Sequence, residues 1–469
     1  MHRIRKIVFA FVICLAVCGA RAAAGAQGSA YTADWASLDA RPAPQWYTDA
    51  RFGIFIHWGV YSAPAWAPKT TYSEWYLHDL TEGPLQGPLA KYAGKSLTPT
   101  QEFHNRVYGK DFKYEQFAPM FRAEMFDPAQ WADFFARSGA KYVVLTSKHH
   151  DGYCLWPAPD SAGWNSVDAG PGRDLVGDLA AAVRAKGLRF GVYYSLYEWY
   201  NPLYHDDVGK YVDTHMLPQL KDVVTRYAPA VIFSDGEWDH PDTTWRSTEF
   251  LAWLYNQGPN PDEVVVNDRW GKDTRSAHGG YYTSEYGAGR AGRQMDKSRP
   301  WEENQGMGRS FGYNRNEDIT NYKSAAELIH MLIDIVSQGG NLLLDIGPTA
   351  DGRIPVIMQE RLLQMGEWLS VNGEAIYGAH PWRAQADGES VRYTAKGHAV
   401  YAIVKSWPGR ELVLAEPRAG AGTSISLLGS DAKIDFKTQN GALTIAVPAL
   451  DIPHMSCRHA WVFKLTGVE

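Results

Sequence analysis

Between about residue 50 and residue 380 the chain switches repeatedly between two hydrophobic periods. Short apolar runs of strand length begin near Gly53, Tyr142, Arg189, Ala230, Val264, Tyr281, Pro300 and Asn341. Between several of them, apolar residues recur at three- and four-residue spacing, the mark of an amphipathic helix. Asp127 caps and Pro128 opens one such helix, which stops at Gly139. Asp174 to Ala185 is a second, closed at Gly187, and Val208 to Tyr227 and Thr243 to Asn256 are two more. Ser324-Ala-Ala-Glu327 reads as a capping box ahead of Leu328–Val336, and Pro355 to Ser370 is the last helix, ended by Gly373. Such alternation predicts a parallel sheet with helices on its outside. Three late strands are separated by loops rather than helices, so the α/β fold expected over residues 31–380 is an irregular (β/α)8-like barrel.

The pattern changes after about residue 382. Val391-Arg-Tyr-Thr, His398–Lys405, Glu411-Leu-Val-Leu, Ser424-Ile-Ser-Leu, Lys433-Ile-Asp-Phe, Leu443–Val447 and Trp461–Leu465 are short alternating runs. Turn residues such as Pro408-Gly409 and Asn440-Gly441 stand between them. These features predict a C-terminal antiparallel β-sandwich over 382–469.

Several barrel strands end on polar groups. Pro229-Ala-Val-Ile-Phe-Ser leads straight into Asp235, then a glycine that allows a turn. The run from Gly53 ends at His57-Trp58, that from Tyr142 at His149-His150-Asp151, and that from Val264 at Asn267-Asp268-Arg269. Burying such groups is unfavourable unless something is built around them. In a (β/α)8 barrel the carboxyl ends of the strands are where active sites form. The long aromatic loop from Ser62 to Phe112 is also expected to serve function, because loops of that length are uncommon in compact domains.

Composition narrows the classes. The 469 residues carry a net charge of −6 and no basic block in the mature region, which argues against a nucleic-acid partner. With 18 Trp and 26 Tyr the chain is rich in rings that fill cores or stack on sugar faces. Residues 1–26 read as a signal peptide: His2, Arg3, Arg5 and Lys6 precede the apolar run Ile7–Ala20 and small-residue cleavage sites. Export to the periplasm or the medium is therefore expected, with no later membrane span. Cys14 and Cys18 fall in that signal, which leaves Cys154 and Cys457, far apart and without zinc-like spacing.

Carboxylates at strand ends within an aromatic mouth suit glycoside hydrolysis, which needs two carboxyl groups flanking the anomeric carbon. Asp235 is the best nucleophile candidate because its strand is otherwise apolar. Glu285 ends the next strand but one, with Glu237, Glu302 and Glu303 as rivals that spacing does not separate.

The chain resembles the α-L-fucosidases of glycoside hydrolase family 29. The likeness runs in order through Trp46–Gly59, Ser73-Glu-Trp-Tyr76, Ser147–Tyr153, Arg173–Asp178, Phe190–Ser195, Asn267–Gly271, Ser310–Asn314 and Gly339–Pro348. It implies a retaining exo-α-L-fucosidase with Asp235 as nucleophile and Glu285 as general acid/base. It further implies a fucose pocket lined by His57, Glu74, Trp75, His149, His150, Tyr193, Phe233, Arg269 and Phe311. Phe233 departs from the family, which often has Trp there. The expected partner is a fucosylated glycan, and the resemblance implies neither metal nor other cofactor. An exo-glycosidase acting on related sugars such as α-L-galactosides, and a non-hydrolytic fucose-binding protein, are the alternatives. Oligomeric state is left open.

Overall fold

The computed structural model describes residues 31–69, 71–81, 97–287, 299–439, 442–449, 455 and 457–469. The expected signal segment, part of the 62–112 loop and the Asn440-Gly441 turn lie outside them. Eight strands form one sheet: β1 (Phe52–Ile56), β2 (Tyr142–Lys148), β3 (Arg189–Ser195), β4 (Val231–Asp235), β5 (Val265–Val266), β6 (Tyr282–Glu285), β7 (Trp301–Gly306) and β8 (Asn341–Ile346). Their order is β5-β4-β3-β2-β1-β8-β7-β6, and every neighbouring pair is parallel. The sheet curls into a barrel whose ladder is broken between β5 and β6. There, the N–H groups of Gly280 and Tyr281 donate to the carbonyl of Val266 at 3.1 and 3.2 Å.

Alternation along the strands divides the core. Phe55, Tyr142, Val144, Tyr193, Val231, Phe233, Val265, Tyr281 and Leu343 form a cluster inside the barrel. Their neighbours Ile54, Val143, Ile232, Leu342 and Leu344 belong to the larger core shared with the helices. Burial on both faces explains why these strands read as almost continuous apolar runs.

The helix caps follow the sequence signals. Asp127 accepts from the N–H groups of Ala129 and Gln130, Asp174 accepts from that of Gly177, and the Ser324–Glu327 capping box is formed. Two helices differ from expectation. The 208–227 segment is Val208–Tyr211, a π-helical turn Val212–Met216, then Leu217–Tyr227. Pro218 has no N–H for the carbonyl four residues back, and the ladder widens just ahead of it. The 243–256 segment is Asp242–Trp245 and Ser247–Gln257, split where Arg246 takes a left-handed φ of 52° and pairs with Asp213.

The C-terminal region has two antiparallel sheets. One is ordered β13-β16-β11-β10-β9 and the other β12-β15-β14. The strands are β9 (His380–Asp387), β10 (Val391–Lys396), β11 (Ala399–Val404), β12 (Glu411–Leu414), β13 (Ala419–Leu427), β14 (Phe436–Gln439), β15 (Ala442–Ala446) and β16 (Trp461–Val468). Tyr393, Ala402 and Phe463 from the first sheet share a core with Leu414, Leu443 and Ile445 from the second. The run expected at 433–436 begins three residues later, as the exposed β14, and β9 is an additional strand. Cys154 and Cys457 are both free and buried.

Candidate active site

The carboxyl ends of the barrel strands surround a pocket of about 510 Å³ counting its open mouth. β1 supplies Phe55 and, one residue beyond its end, His57; β2 is followed by His149 and His150; β3 supplies Tyr193. Phe233 and Asp235 come from β4, Arg269 from the turn after β5, Glu285 from the end of β6 and Asn304 from β7. The loop after β1 brings Tyr72, Glu74 and Trp75, and the loop after β7 brings Phe311. Gly236 has a φ of +73°, and a Cβ there would lie 2.4 Å from that of Tyr197. Glycine is what lets the chain leave β4 immediately after Asp235.

Asp235 is the most strongly held group. Its Oδ1 accepts from Nη1 of Arg269 at 2.7 Å, and its Oδ2 accepts from the Tyr193 hydroxyl at 2.9 Å. Burial opposes its ionisation, but the Arg269 guanidinium, helped by Arg275, outweighs burial and holds the carboxyl below its usual range. The same guanidinium donates through Nη2 to Glu285 at 3.3 Å and lies 4.9 Å over the Phe233 ring. One arginine thus spans both carboxylates. They differ in access: the Asp235 side chain is 12% exposed and that of Glu285 is 30% exposed.

The histidines are kept neutral. Burial lowers His57 to about 3 and His150 to about 4. The hydroxyl of Ser195 donates to the carbonyl of Tyr197 at 2.6 Å, so it must accept from Nδ1 of His150, also at 2.6 Å. This network assigns the tautomer: Nε2 of His150 is an acceptor, and it faces Asp235 at 3.6 Å. His57 is fixed through Nδ1 by Asp345 at 2.6 Å. Glu74 accepts from the Gly312 N–H at 2.8 Å and the Ser310 hydroxyl at 3.1 Å, yet burial raises it to about 7. The pocket therefore presents an arginine-held, ionised carboxylate beside neutral histidines and aromatic rings, a surface suited to a small polyhydroxylated ring with an apolar edge.

Residues 18–374 match the family model described as Alpha-L-fucosidase, and residues 385–466 match that described as Alpha-L-fucosidase C-terminal domain. The chain belongs to the α-L-fucosidase family. With that family it is a glycoside hydrolase. It is 45% identical over 456 residues to the tissue alpha-L-fucosidase of Bos taurus, covering 94% of this chain and 92% of the relative. Among solved structures it is similar to the Thermotoga maritima alpha-fucosidase in complex with a mechanism-based inhibitor, with a TM-score of 0.79 and 38% identity. That match covers 93% of this chain and 100% of the other. The same enzyme in complex with fucose gives a TM-score of 0.78 at 37% identity, with the same coverage.

All eleven residues expected from the α-L-fucosidase resemblance line this one pocket. The three rival glutamates do not. Glu237 is tied to Arg275 through Nε and Nη2. Glu303 points out of the barrel, where it accepts from the Ser284 hydroxyl and the Gly287 N–H. Glu302 points inward but lies at the amino-terminal end, accepting from the hydroxyls of Tyr47 and Tyr142. Phe55, Tyr72, Trp238, Arg275 and Asn304 also line the pocket and were not anticipated. Phe55 stands two before His57, and Asn304 two after Glu302. The two-residue period of a strand places each pair on one face.

Proposed function

We propose that the protein hydrolyses terminal α-L-fucosyl residues of oligosaccharides or glycoconjugates with retention, through a covalent fucosyl-enzyme. The observation that carries this reading is the Arg269 bridge. It keeps the buried Asp235 ionised while reaching the more exposed Glu285. Asp235 attacks the anomeric carbon as Glu285 gives its proton to the departing glycosidic oxygen. Water, deprotonated by Glu285, then attacks the same carbon, and the bond to Asp235 breaks. The hydroxyls of fucose meet His57, His149, His150 and Glu74, and its methyl meets Phe233 and Phe311. The Thermotoga maritima relative, solved once with fucose and once with a mechanism-based inhibitor, supports the same chemistry here.

The basic start and short apolar run of residues 1–26 support export. Among the described residues no helix is long and apolar enough to cross a membrane.

Proton NMR of the first turnover on an aryl α-L-fucoside tests the pathway: α-fucose should appear first, and β-fucose would overturn retention and both role assignments. Asp235→Gly should lose several orders of magnitude in kcat and regain part of it with azide. Near-normal turnover in that variant would remove Asp235 from the reaction.

A further inference from the structure

Asp345 is buried in the barrel just behind the pocket, and it is not one of the residues that line it. On β8 it stands in register with Phe55 of β1 and two residues beyond Leu343, which belongs to the inner cluster. The pleat therefore turns its carboxyl into the barrel. Oδ1 meets Nδ1 of His57 at 2.6 Å, and Oδ2 is buried without a hydrogen-bond partner. Among the described residues no lysine or arginine pairs with it, and its one charge-bearing contact is that imidazole. The other titratable groups that act on it, Glu74, Tyr61 and Tyr286, are all acids. Asp235 has the opposite setting, with Arg269 on one oxygen and the Tyr193 hydroxyl on the other.

An ionised Asp345 would bury a charged oxygen with no donor, next to a second carboxyl. Burial, with Glu74 adding to it, pushes Asp345 well above the ordinary carboxylate range. A protonated Asp345 removes both difficulties: the acid donates from Oδ1, and Oδ2 becomes a neutral carbonyl oxygen. The acceptor is then Nδ1 of His57, which burial keeps neutral. A neutral imidazole carries one hydrogen, so with Nδ1 accepting it sits on Nε2. Nε2 is on the edge of the ring away from Asp345, and His57 lines the pocket, so this N–H is what the ring offers a substrate. Phe311 stacks on the imidazole at 4.9 Å and 22°, which resists its rotation. His150 has the other tautomer, with Nδ1 donating to Ser195 and Nε2 accepting.

We infer that Asp345 is a positioning residue: as a neutral acid it donates to Nδ1 of His57 and so sets that ring to present an N–H to a hydroxyl oxygen of the sugar. The inference rests on the reading of this pocket as the fucose site. It gives the two histidines complementary tasks, His57 donating to the sugar and His150 accepting from it. A sugar hydroxyl both gives and takes a hydrogen bond, so a donor and an acceptor at fixed places select its orientation. Asp345 takes part without touching the substrate, through the hydrogen it places on its neighbour.

Nitrogen NMR of the full chain, isotope-labelled at histidine, reads the tautomer directly at neutral pH, with His57 assigned by the signals lost in His57→Gln or His57→Asn. Nε2 should carry the hydrogen, Nδ1 should be a bare acceptor, and saturating L-fucose should move the Nε2 signal. A hydrogen on Nδ1 with a bare Nε2 would overturn the inference, as would an Nε2 signal unmoved by L-fucose in a preparation that turns over an aryl α-L-fucoside. Two variants, checked for folding by circular dichroism, add the kinetic arm. Asp345→Asn keeps an N–H for Nδ1 and should leave the hydrogen on Nε2, whereas Asp345→Leu offers nothing. Aryl fucoside kcat/KM should be lower in Asp345→Leu than in Asp345→Asn by roughly tenfold, about the worth of one buried hydrogen bond. If Asp345→Leu does not fold, Asp345→Ala replaces it with the same expectation. Equal losses in the two folded variants would show that Asp345 only fills space and would overturn the role. Absence of fucoside turnover in the unaltered protein, with the hydrogen found on Nε2, would instead overturn the proposed function.

Discussion

Replacing Arg269 by Met should move the acid limb of the pH–rate profile. The Arg269 side chain is 4% exposed and donates to Asp235 at 2.7 Å, to the Thr283 hydroxyl at 3.1 Å and to Glu285 at 3.3 Å. Methionine approximates its length and lies against Phe233 but carries no charge. An adjacent arginine depresses a carboxylate by about 1–3 pH units, so its loss should raise Asp235 by a similar amount. Each unit corresponds to about 1.4 kcal/mol, which places the lost interaction at roughly 1.4–4 kcal/mol. The upper end approaches the 3–5 kcal/mol cost of breaking a buried ion pair, as expected when Tyr193 and Arg275 stay in place.

The stability change has a defined sign. A carboxyl with a depressed folded pKa stabilises the fold above its unfolded pKa, and that contribution disappears as pH falls through the folded value. Arg269→Met lifts the folded value, so the variant should be less stable at pH 7 and should converge on the parent in strong acid. The assay is kcat/KM for a chromogenic aryl α-L-fucoside from pH 3 to 8, with thermal unfolding at both ends. Arg269→Lys should fall between parent and Met, because an ammonium can hold one carboxylate but cannot fork between two. A folded Met variant with an unmoved acid limb would refute the argument that Arg269 ionises Asp235.

Glu285→Ala should lose little activity on fucosides with good leaving groups and much more on natural fucosides, since only the latter need a proton on the departing oxygen; equal losses would count against Glu285 as the acid/base. Glu74, raised to about 7 by burial, binds a proton in the folded state that the unfolded chain releases near its ordinary value. Stability from this source is present below the unfolded pKa and is lost as pH rises towards 7. Glu74→Gln should therefore narrow the difference in Tm between pH 5 and pH 8, and an unchanged difference would show that Glu74 does not titrate in that window.

The parts of the fold legible in the chain are those set by local rules. Asp127, Asp174 and the Ser324–Glu327 box cap helices where side-chain chemistry requires, and burial on both faces makes the barrel strands read as apolar runs. What escaped depends on distant partners. The split at Arg246 leaves the helical period almost intact, because one left-handed residue shifts it only slightly, and its pairing with Asp213 joins separate helices. β14 is exposed along its length and has no alternation to detect. In the site, Asp235 announced itself as a lone acid ending an apolar strand. Asn304 did not, since in Trp-Glu-Glu-Asn-Gln the polar residues run together. Only the pleat shows that Glu302 and Asn304 point inward while Glu303 points away.

The most irregular part of the barrel is also what assembles the site. β5 has only two residues, and side chains replace the ladder that ends with it. On the β4 side, Asn267 accepts from the Ser234 N–H at 3.2 Å and donates to the Ser234 carbonyl at 2.8 Å, as a strand residue would. On the β6 side, Asp268 accepts from the Thr283 N–H at 3.1 Å and the Thr283 hydroxyl at 2.6 Å. That hydroxyl in turn accepts from Nε of Arg269 at 3.1 Å. Because the strand stops, Arg269 turns into the pocket, and because Thr283 holds its Nε, its two terminal nitrogens fork towards Asp235 and Glu285. A β5 extended to residue 269 would have put that arginine's backbone into the sheet and fixed its side chain by the pleat. Ending the strand at Val266 and pinning the chain with Asn267 and Asp268 closes the wall and leaves the guanidinium free to bridge two carboxylates on different strands.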